Sequence, residues 1–200
     1  MTGGTARIIV FARAPVPGRC KTRLIPRLGA TGAAALQRRL TRRTVRVALA
    51  CGGEVELWGA PDASHGFFLS LRRSLGVRLR RQPAGDLGRR MAMALRGRHP
   101  SIVVGTDCPT LDAADLRAAC RLLDRRDCVL QPSLDGGYVL IGTRFLPRRA
   151  LAGIAWSSGR ELGQTRRRMS RLGLTREELG PREDLDTPAD YRRARRAGRV

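Results

Sequence analysis

The chain has 200 residues, 42% of them hydrophobic, and sets 39 Lys plus Arg against 17 Asp plus Glu, a formal net charge of +22. That size allows a single domain with a sizeable core. No apolar run approaches the ~20 residues of a membrane span, and the short polar opening Met1–Arg7 does not start a signal peptide, so a cytoplasmic protein is expected.

The elements alternate along the chain. Ile8–Ala12 reads as a strand. Thr31–Cys51 reads as a helix, with Ala33, Leu36, Leu40 and Val47 on one face and Arg38, Arg39, Arg42, Arg43 and Arg46 opposite. Val55–Trp58 is a strand, Phe67–Leu75 a short helix ended by Gly76, and Val77–Arg81 a third strand. Leu87–Arg96 is helical, Ile102–Val104 a short buried strand, and Ala113–Arg125 a helix. Cys128–Leu130 and Tyr138–Ile141 are strands, and Arg160–Leu172 and Pro188–Arg196 are helices separated by a loop. Such alternation predicts an α/β fold with an open, mostly parallel sheet and helices on both faces. Ligands then collect at the carboxyl ends of the strands. The loops to watch are Arg13–Arg23, Gln82–Arg90, Thr106–Thr110 and Gln131–Gly137.

Only one of the 39 basic residues is a lysine, Lys21. Lysine is a compact point charge and arginine a planar fork, so a lone lysine in an arginine-saturated chain points to a site that needs an ammonium. It lies in the basic loop Arg13-Ala-Pro-Val-Pro-Gly-Arg-Cys-Lys-Thr-Arg23 after the first strand, a place suited to phosphate. Lys21-Thr22 also ends like a P-loop, but Cys20 stands where glycine should precede the lysine, which disfavours a P-loop ATPase.

Asp107, in Val103-Val-Gly-Thr-Asp-Cys-Pro-Thr-Leu111, directly follows a buried strand. Pro109 keeps Cys108 extended, so Asp107 points into the crevice, where a carboxylate suits Mg²⁺. Asp112, with Asp115 three residues on, is better placed to cap the next helix. Asp184 and Asp186, two apart, share a side of an extended segment. Asp186 or Thr187 caps the following helix, with Pro188 at its first turn; capping accounts for one of the two aspartates and leaves the other for the metal.

In Gln82-Pro-Ala-Gly-Asp-Leu-Gly88 the glycines allow a close approach to a flat ligand and Gln82 offers a donor and an acceptor to a base. Asp135-Gly136 is also a hairpin signal. The five scattered cysteines form no CxxC pair, and neither His65 nor His99 lies near the loops. A zinc site and a disulfide framework are therefore not expected, and Cys20 and Cys108 read as small fillers.

Six segments, FARAPVPGRCKTRL, QPAGDLGRRM, VVGTDCPTL, QPSLDGGYVLIG, GIAWSS and EDLDTPADY, stand in the order seen in the DUF2064 family. The chain resembles that family from roughly Ile8 to Tyr191. The family is glycosyltransferase-A-like and sits within the nucleotide-diphospho-sugar transferase superfamily. Lys21-Thr22-Arg23-Leu24 is also similar to the Lys-Ser-Arg-Leu segment of 2-phospholactate guanylyltransferases. The resemblance implies a single Rossmann-like GT-A domain over residues 1–200, with a core of about 6–191 and a basic tail at 192–200.

It further implies phosphate binding by Arg13, Pro17, Gly18, Lys21 and Arg23. Gln82, Gly85, Asp86 and Gly88 would meet the nucleotide, and Asp107 with Asp184 or Asp186 would hold Mg²⁺ or Mn²⁺. Asp135, Gly136, Gly137 and Tyr138 would face the acceptor. Arg13 departs from the lysine that many relatives carry, and Ser133 and Leu134 replace smaller or apolar residues.

The leading expectation is a Mg²⁺-dependent nucleotidyltransferase acting on a small phosphorylated or phosphonate acceptor, with Lys21, Arg23 and Asp107 as its catalytic residues. The alternatives are a glycosyltransferase with a nucleotide-diphospho-sugar donor and, given the charge, a non-catalytic nucleic-acid-binding protein. Scarce aromatics, 4%, leave few platforms for stacking single-stranded bases.

Overall fold

The computed structural model describes residues 6–97 and 99–200; most of the polar opening segment lies outside them. Seven strands form one sheet: β1 (Arg7–Arg13), β2 (Val55–Ala60), β3 (Arg78–Arg81), β4 (Ser101–Val104), β5 (Cys128–Pro132), β6 (Tyr138–Thr143) and β7 (Arg176–Glu178). Their order is β3-β2-β1-β4-β6-β5-β7. β1 pairs in parallel with β2 and β4, β2 with β3, and β5 with β7, while β6 runs antiparallel to both β4 and β5. β6 alone is reversed, which gives the mixed, mostly parallel α/β sheet that the alternation predicts.

Among the described residues six α-helices cover it: α1 (Ile25–Cys51), α2 (Gly66–Leu75), α3 (Leu87–Ala94), α4 (Ala113–Leu123), α5 (Glu161–Arg171) and α6 (Pro188–Arg196). β1 is buried on both faces, as a central parallel strand must be. Ile8, Val10 and Ala12 join Val45, Phe68, Leu71, Leu116 and Leu123 on the α1, α2 and α4 side. Ile9 and Phe11 join Met91, Leu95, Leu162 and Met169 on the α3 and α5 side. Leu24, Leu36, Leu40, Leu185 and Ala194 make a third, smaller cluster between α1 and α6.

Two elements differ from the expectation. α1 starts six residues earlier, at Ile25 with Pro26 in its first turn, and breaks at Gly29, whose φ of 69° leaves the helical region. β7 carries no apolar alternation; it is an edge strand held by charge, with Arg166 and Arg176 on Glu178 and Arg126 on Glu177. The helix expected over Pro188–Arg196 forms as α6, and beside it Arg193 and Arg199 both reach Glu183. No helix among the described residues is long and apolar enough to cross a membrane.

Candidate active site

The chain leaves β1 to build β2 and β3 on one side of it, then crosses to β4 on the other. The carboxyl ends of β1 and β4 therefore flank the topological switch point, where open α/β sheets bind ligands. A cleft of about 800 Å³ lies there, within the usual size of a small-molecule site.

The loop after β1 supplies Lys21 and the loop after β4 supplies Asp107. Lys21 Nζ lies 2.7 Å from Asp107 Oδ1 and 3.0 Å from Asp186 Oδ1, and it donates to the Leu185 carbonyl. The Lys21 side chain is 4% exposed, against 47% for Asp107 and 41% for Asp186. Burial alone would depress the Lys21 pKa, but the two carboxylates outweigh it and hold the pKa above its ordinary value. The Lys21 ammonium is thus buried in the cleft, its charge shared by two acidic loops. Its backbone stands at φ 47°, ψ 41°, a left-handed conformation that costs a non-glycine residue about 1–2 kcal/mol. Strain of this kind persists only where surrounding contacts over-determine it.

The third loop, between β7 and α6, is anchored at Leu185. This residue is fully buried among Leu24, Leu36, Leu40 and Ala194, and its amide donates 2.8 Å to the Asp107 carbonyl. With Leu185 turned into that core, its neighbours Asp184 and Asp186 both line the cleft, as the two-residue spacing requires. Thr187 caps α6 in a reciprocal capping box with Asp190, so neither aspartate is used as the cap. Asp112 and Asp115 form the equivalent box at α4. Arg182 makes a two-pronged contact of 2.9 and 2.7 Å with Asp115 that ties the acidic loop to that helix.

Asp184 is pushed up to about 6, first by burial and then by Asp135 and Asp186 nearby. Asp107, Asp135, Asp184 and Asp186 all border the cleft, yet among the described residues no three acidic, His or Cys side chains are already gathered as a metal cluster. The donor set is carboxylate oxygen throughout, and burial first, then the neighbouring Asp135 and Asp186 charges, raise the Asp184 pKa. Both features fit a hard divalent cation. Asp107, with Asp184 or Asp186, would hold it.

Other expected site residues divide in two. Arg13, Arg23, Gln82, Asp135, Gly137 and Tyr138 line the cleft. Gln82 is buried, and its amide nitrogen is committed to the Trp58 and Ala12 carbonyls at 2.9 and 3.3 Å, so it ties strand ends together rather than offering a free donor to a base. Asp86 caps α3 by accepting from the Arg89 amide, 2.7 Å away. Pro17 and Gly18 form the exposed turn that leads to Lys21, and Gly85 another before α3.

Gly88 and Gly136 serve close packing. A Cβ on Gly88 would stand 2.4 Å from the Leu151 carbonyl oxygen, and one on Gly136, at φ 90°, 2.1 Å from that of Gly159. Asp135 Oδ1 accepts from the Gly137 amide at 3.0 Å inside the β5–β6 hairpin turn. Burial raises the thiol pKa of Cys20 and Cys108, consistent with fillers rather than nucleophiles.

Sequence reasoning missed Arg90, Trp156, Ser157 and Glu161, which complete the cleft wall. Trp156 stands edge-on to Tyr138 with ring centroids 6.3 Å apart. Glu161 is buried and accepts from the Ser158 amide at 2.7 Å. The signal was the segment Gly153-Ile-Ala-Trp-Ser-Ser158, whose place in the family pattern was seen without a role attached.

A family profile, "Uncharacterized protein conserved in bacteria (DUF2064)", matches residues 37–158. The chain belongs to this family. No curated protein matches it in sequence. Among solved structures, a Desulfovibrio desulfuricans G20 protein provisionally named a nucleotide-diphospho-sugar transferase is 26% identical, with a TM-score of 0.88 over 99% of this chain and 88% of that one. A nucleotidyl transferase from Methanothermobacter thermautotroptrophicus is 18% identical, with a TM-score of 0.64 over 97% and 98%. The 4-diphosphocytidyl-2C-methyl-D-erythritol synthase of Anaerococcus prevotii is 9% identical, with a TM-score of 0.65 over 99% and 100%. The structural neighbours are transferases, and the last two share the fold alone with this chain. Lys21, Asp184 and Asp186 lie outside the profile match, so their pairing with Asp107 rests on the geometry.

Proposed function

We propose that DUF2064 in this chain is a divalent-metal-dependent nucleotidyltransferase that moves a nucleoside monophosphate from a triphosphate to a small phosphorylated or phosphonate acceptor. The observation that carries the reading is the clasp at the switch point: one ammonium between carboxylates from two different loops, flanked on the cleft wall by Arg13, Arg23 and Arg90. Opposite charges so placed suit a ligand that carries phosphates and a cation together. The names of the Methanothermobacter and Anaerococcus proteins agree with this class.

The acceptor's phosphate or phosphonate oxygen is already anionic near neutral pH, so its attack on the α-phosphorus needs no strong base. The bond to the β-phosphate oxygen breaks and pyrophosphate leaves. Arg13 and Arg23, both exposed at the rim, offset the charge of the leaving pyrophosphate, and Lys21 offsets that at the reacting phosphorus. Trp156, Tyr138 and the Asp135–Gly137 turn shape the wall that receives the acceptor. A bound Mg²⁺ or Mn²⁺, held by Asp107 with Asp184 or Asp186, would supply Lewis-acid neutralisation of the phosphate oxygens. The protein's share is positioning and charge.

A nucleotide-diphospho-sugar donor on the same cleft is the second reading, favoured by the Desulfovibrio protein's name. Incubation with each nucleoside triphosphate, Mg²⁺ and candidate acceptors, followed by a pyrophosphate assay, separates the two. Sugar transfer without pyrophosphate would overturn the nucleotidyl reading. The acidic cleft weighs against a purely non-catalytic scaffold. We further propose that residues 1–200 act as one domain, with a core of about 6–191 and a basic tail at 192–200.

A further inference from the structure

A second concavity lies away from the cleft, between α1 and the start of α4. It encloses about 630 Å³ and is lined by Arg38, Arg39, Arg42, Arg43 and Arg46 over small apolar residues such as Val47 and Ala113. We propose that this groove binds the sugar–phosphate backbone of duplex nucleic acid, without reading its sequence.

Four features support that occupant. First, none of the five arginines takes part in an ion pair among the described residues, although acidic partners hold Arg78, Arg126, Arg166, Arg182 and Arg193 elsewhere. Their charge is uncommitted. Second, the groove is pre-organised. The guanidinium carbons of Arg38 and Arg42 lie 5.3 and 5.9 Å from the centre of the buried Phe67 ring, and Arg43 donates 2.6 Å to the Leu111 carbonyl. Cation–π stacking and hydrogen bonding fix side chains that would otherwise lose rotamer entropy on binding.

Third, Arg38, Arg42 and Arg46 recur every fourth residue, so they rise about 6 Å per step along a rigid helix. A duplex presents a charge every ~1.7 Å, so each guanidinium finds a phosphate without a required register. Fourth, the groove lining holds no aromatic residue. Stacking platforms for single-stranded bases are absent from it, and phosphate contacts alone carry no sequence information.

The general charge of +22 could attract a polyanion anywhere on the surface, so the test compares two variants of equal charge. Arg38→Gln/Arg42→Gln/Arg46→Gln removes three groove charges. Arg192→Gln/Arg195→Gln/Arg196→Gln removes three exposed charges from α6 that make no ion pair among the described residues. Binding of a short fluorescent DNA duplex of mixed sequence is followed by anisotropy from 50 to 200 mM salt.

Five phosphate contacts predict a log–log salt slope of about −4.5, a loss of several hundredfold over that range. The groove variant should flatten the slope by about 2.7 and weaken low-salt binding at least tenfold, while the α6 variant stays within a factor of two of the unaltered protein. Equal losses in both variants would reduce the effect to net charge and overturn the proposal. So would the absence of duplex binding at low salt, or groove-dependent binding to anionic lipid vesicles but not to duplex. If circular dichroism shows the triple groove variant unfolded, Arg39→Gln/Arg46→Gln spares the Phe67 stack and should flatten the slope by about 1.8. None of these readings depends on the transferase assay, so the two proposals can fail separately.

Discussion

Lys21→Met tests the clasp directly. The substitution keeps the aliphatic stem and deletes an ammonium that meets Asp107 at 2.7 Å, Asp186 at 3.0 Å and the Leu185 carbonyl. Removing one partner of a fully buried pair costs about 3–5 kcal/mol. Here the carboxylates keep 47% and 41% of their side-chain exposure, so water recovers much of their solvation, and the loss should come down to about 1–2 kcal/mol. For a chain of this size that is a fall in Tm of roughly 2–8 °C.

The freed carboxylates should then accept a cation more readily. Titration with Mn²⁺, read by calorimetry and thermal shift, should show tighter metal binding in Lys21→Met than in the unaltered protein, and Mn²⁺ should restore part of the lost Tm. Turnover should fall sharply all the same, because the charge at the reacting phosphate is gone. Lys21→Arg should also lose turnover, since a planar fork cannot occupy a space shaped for one ammonium nitrogen with φ held at 47°. A Lys21→Met protein with unchanged Tm and unchanged Mn²⁺ affinity would refute the clasp. Full turnover in Lys21→Arg would make the lone lysine an accident of composition.

Three further outcomes are expected. Asp107→Asn should keep the fold and an acceptor for Lys21 but lose the Mg²⁺-dependent thermal shift with nucleotide; an undiminished shift would remove Asp107 from the metal site. Asp184 has a folded-state pKa of about 6 against an ordinary 3.8. The folded protein therefore holds the extra proton between those values, and stability falls as pH rises through that window. Asp184→Asn should raise stability at pH 7.5 by about 1 kcal/mol, after discounting for its partial exposure, and give no gain at pH 3.5; urea titrations at both values decide it. Gly136→Ala should destabilise by more than about 2 kcal/mol, since a methyl group there strikes the Gly159 carbonyl and φ is 90°. An ordinary melting curve for this variant would show that the two loops do not meet as described.

The strand–helix alternation, the parallel sheet and most helix boundaries were legible in the sequence because they rest on local signals: hydrophobic period, caps, and Gly or Pro at the ends. So were the acidic loops, since a carboxylate straight after a buried strand has few places to go, and two aspartates flanking one leucine must share a side. The lone Lys21 marked the right loop. The sequence could not say that its ammonium turns inward to Asp107 and Asp186. The contact with Asp186 spans 165 residues and depends on Leu185 anchoring the third loop in a core between α1 and α6. β7 was invisible because its Arg-Glu-Glu composition is set by ion pairs across the sheet edge and not by burial. Gln82, from its residue type, and Asp86, from the family resemblance, were read as ligand contacts, whereas their hydrogen bonds go to strand ends and a helix cap. Gathering Trp156, Ser157 and Glu161 at the cleft required the backbone crossing at Gly136 and Gly159. Local chemistry determines which segments form elements; which side chains meet at the switch point is decided by sheet order and loop packing, because those contacts join residues that no local signal connects.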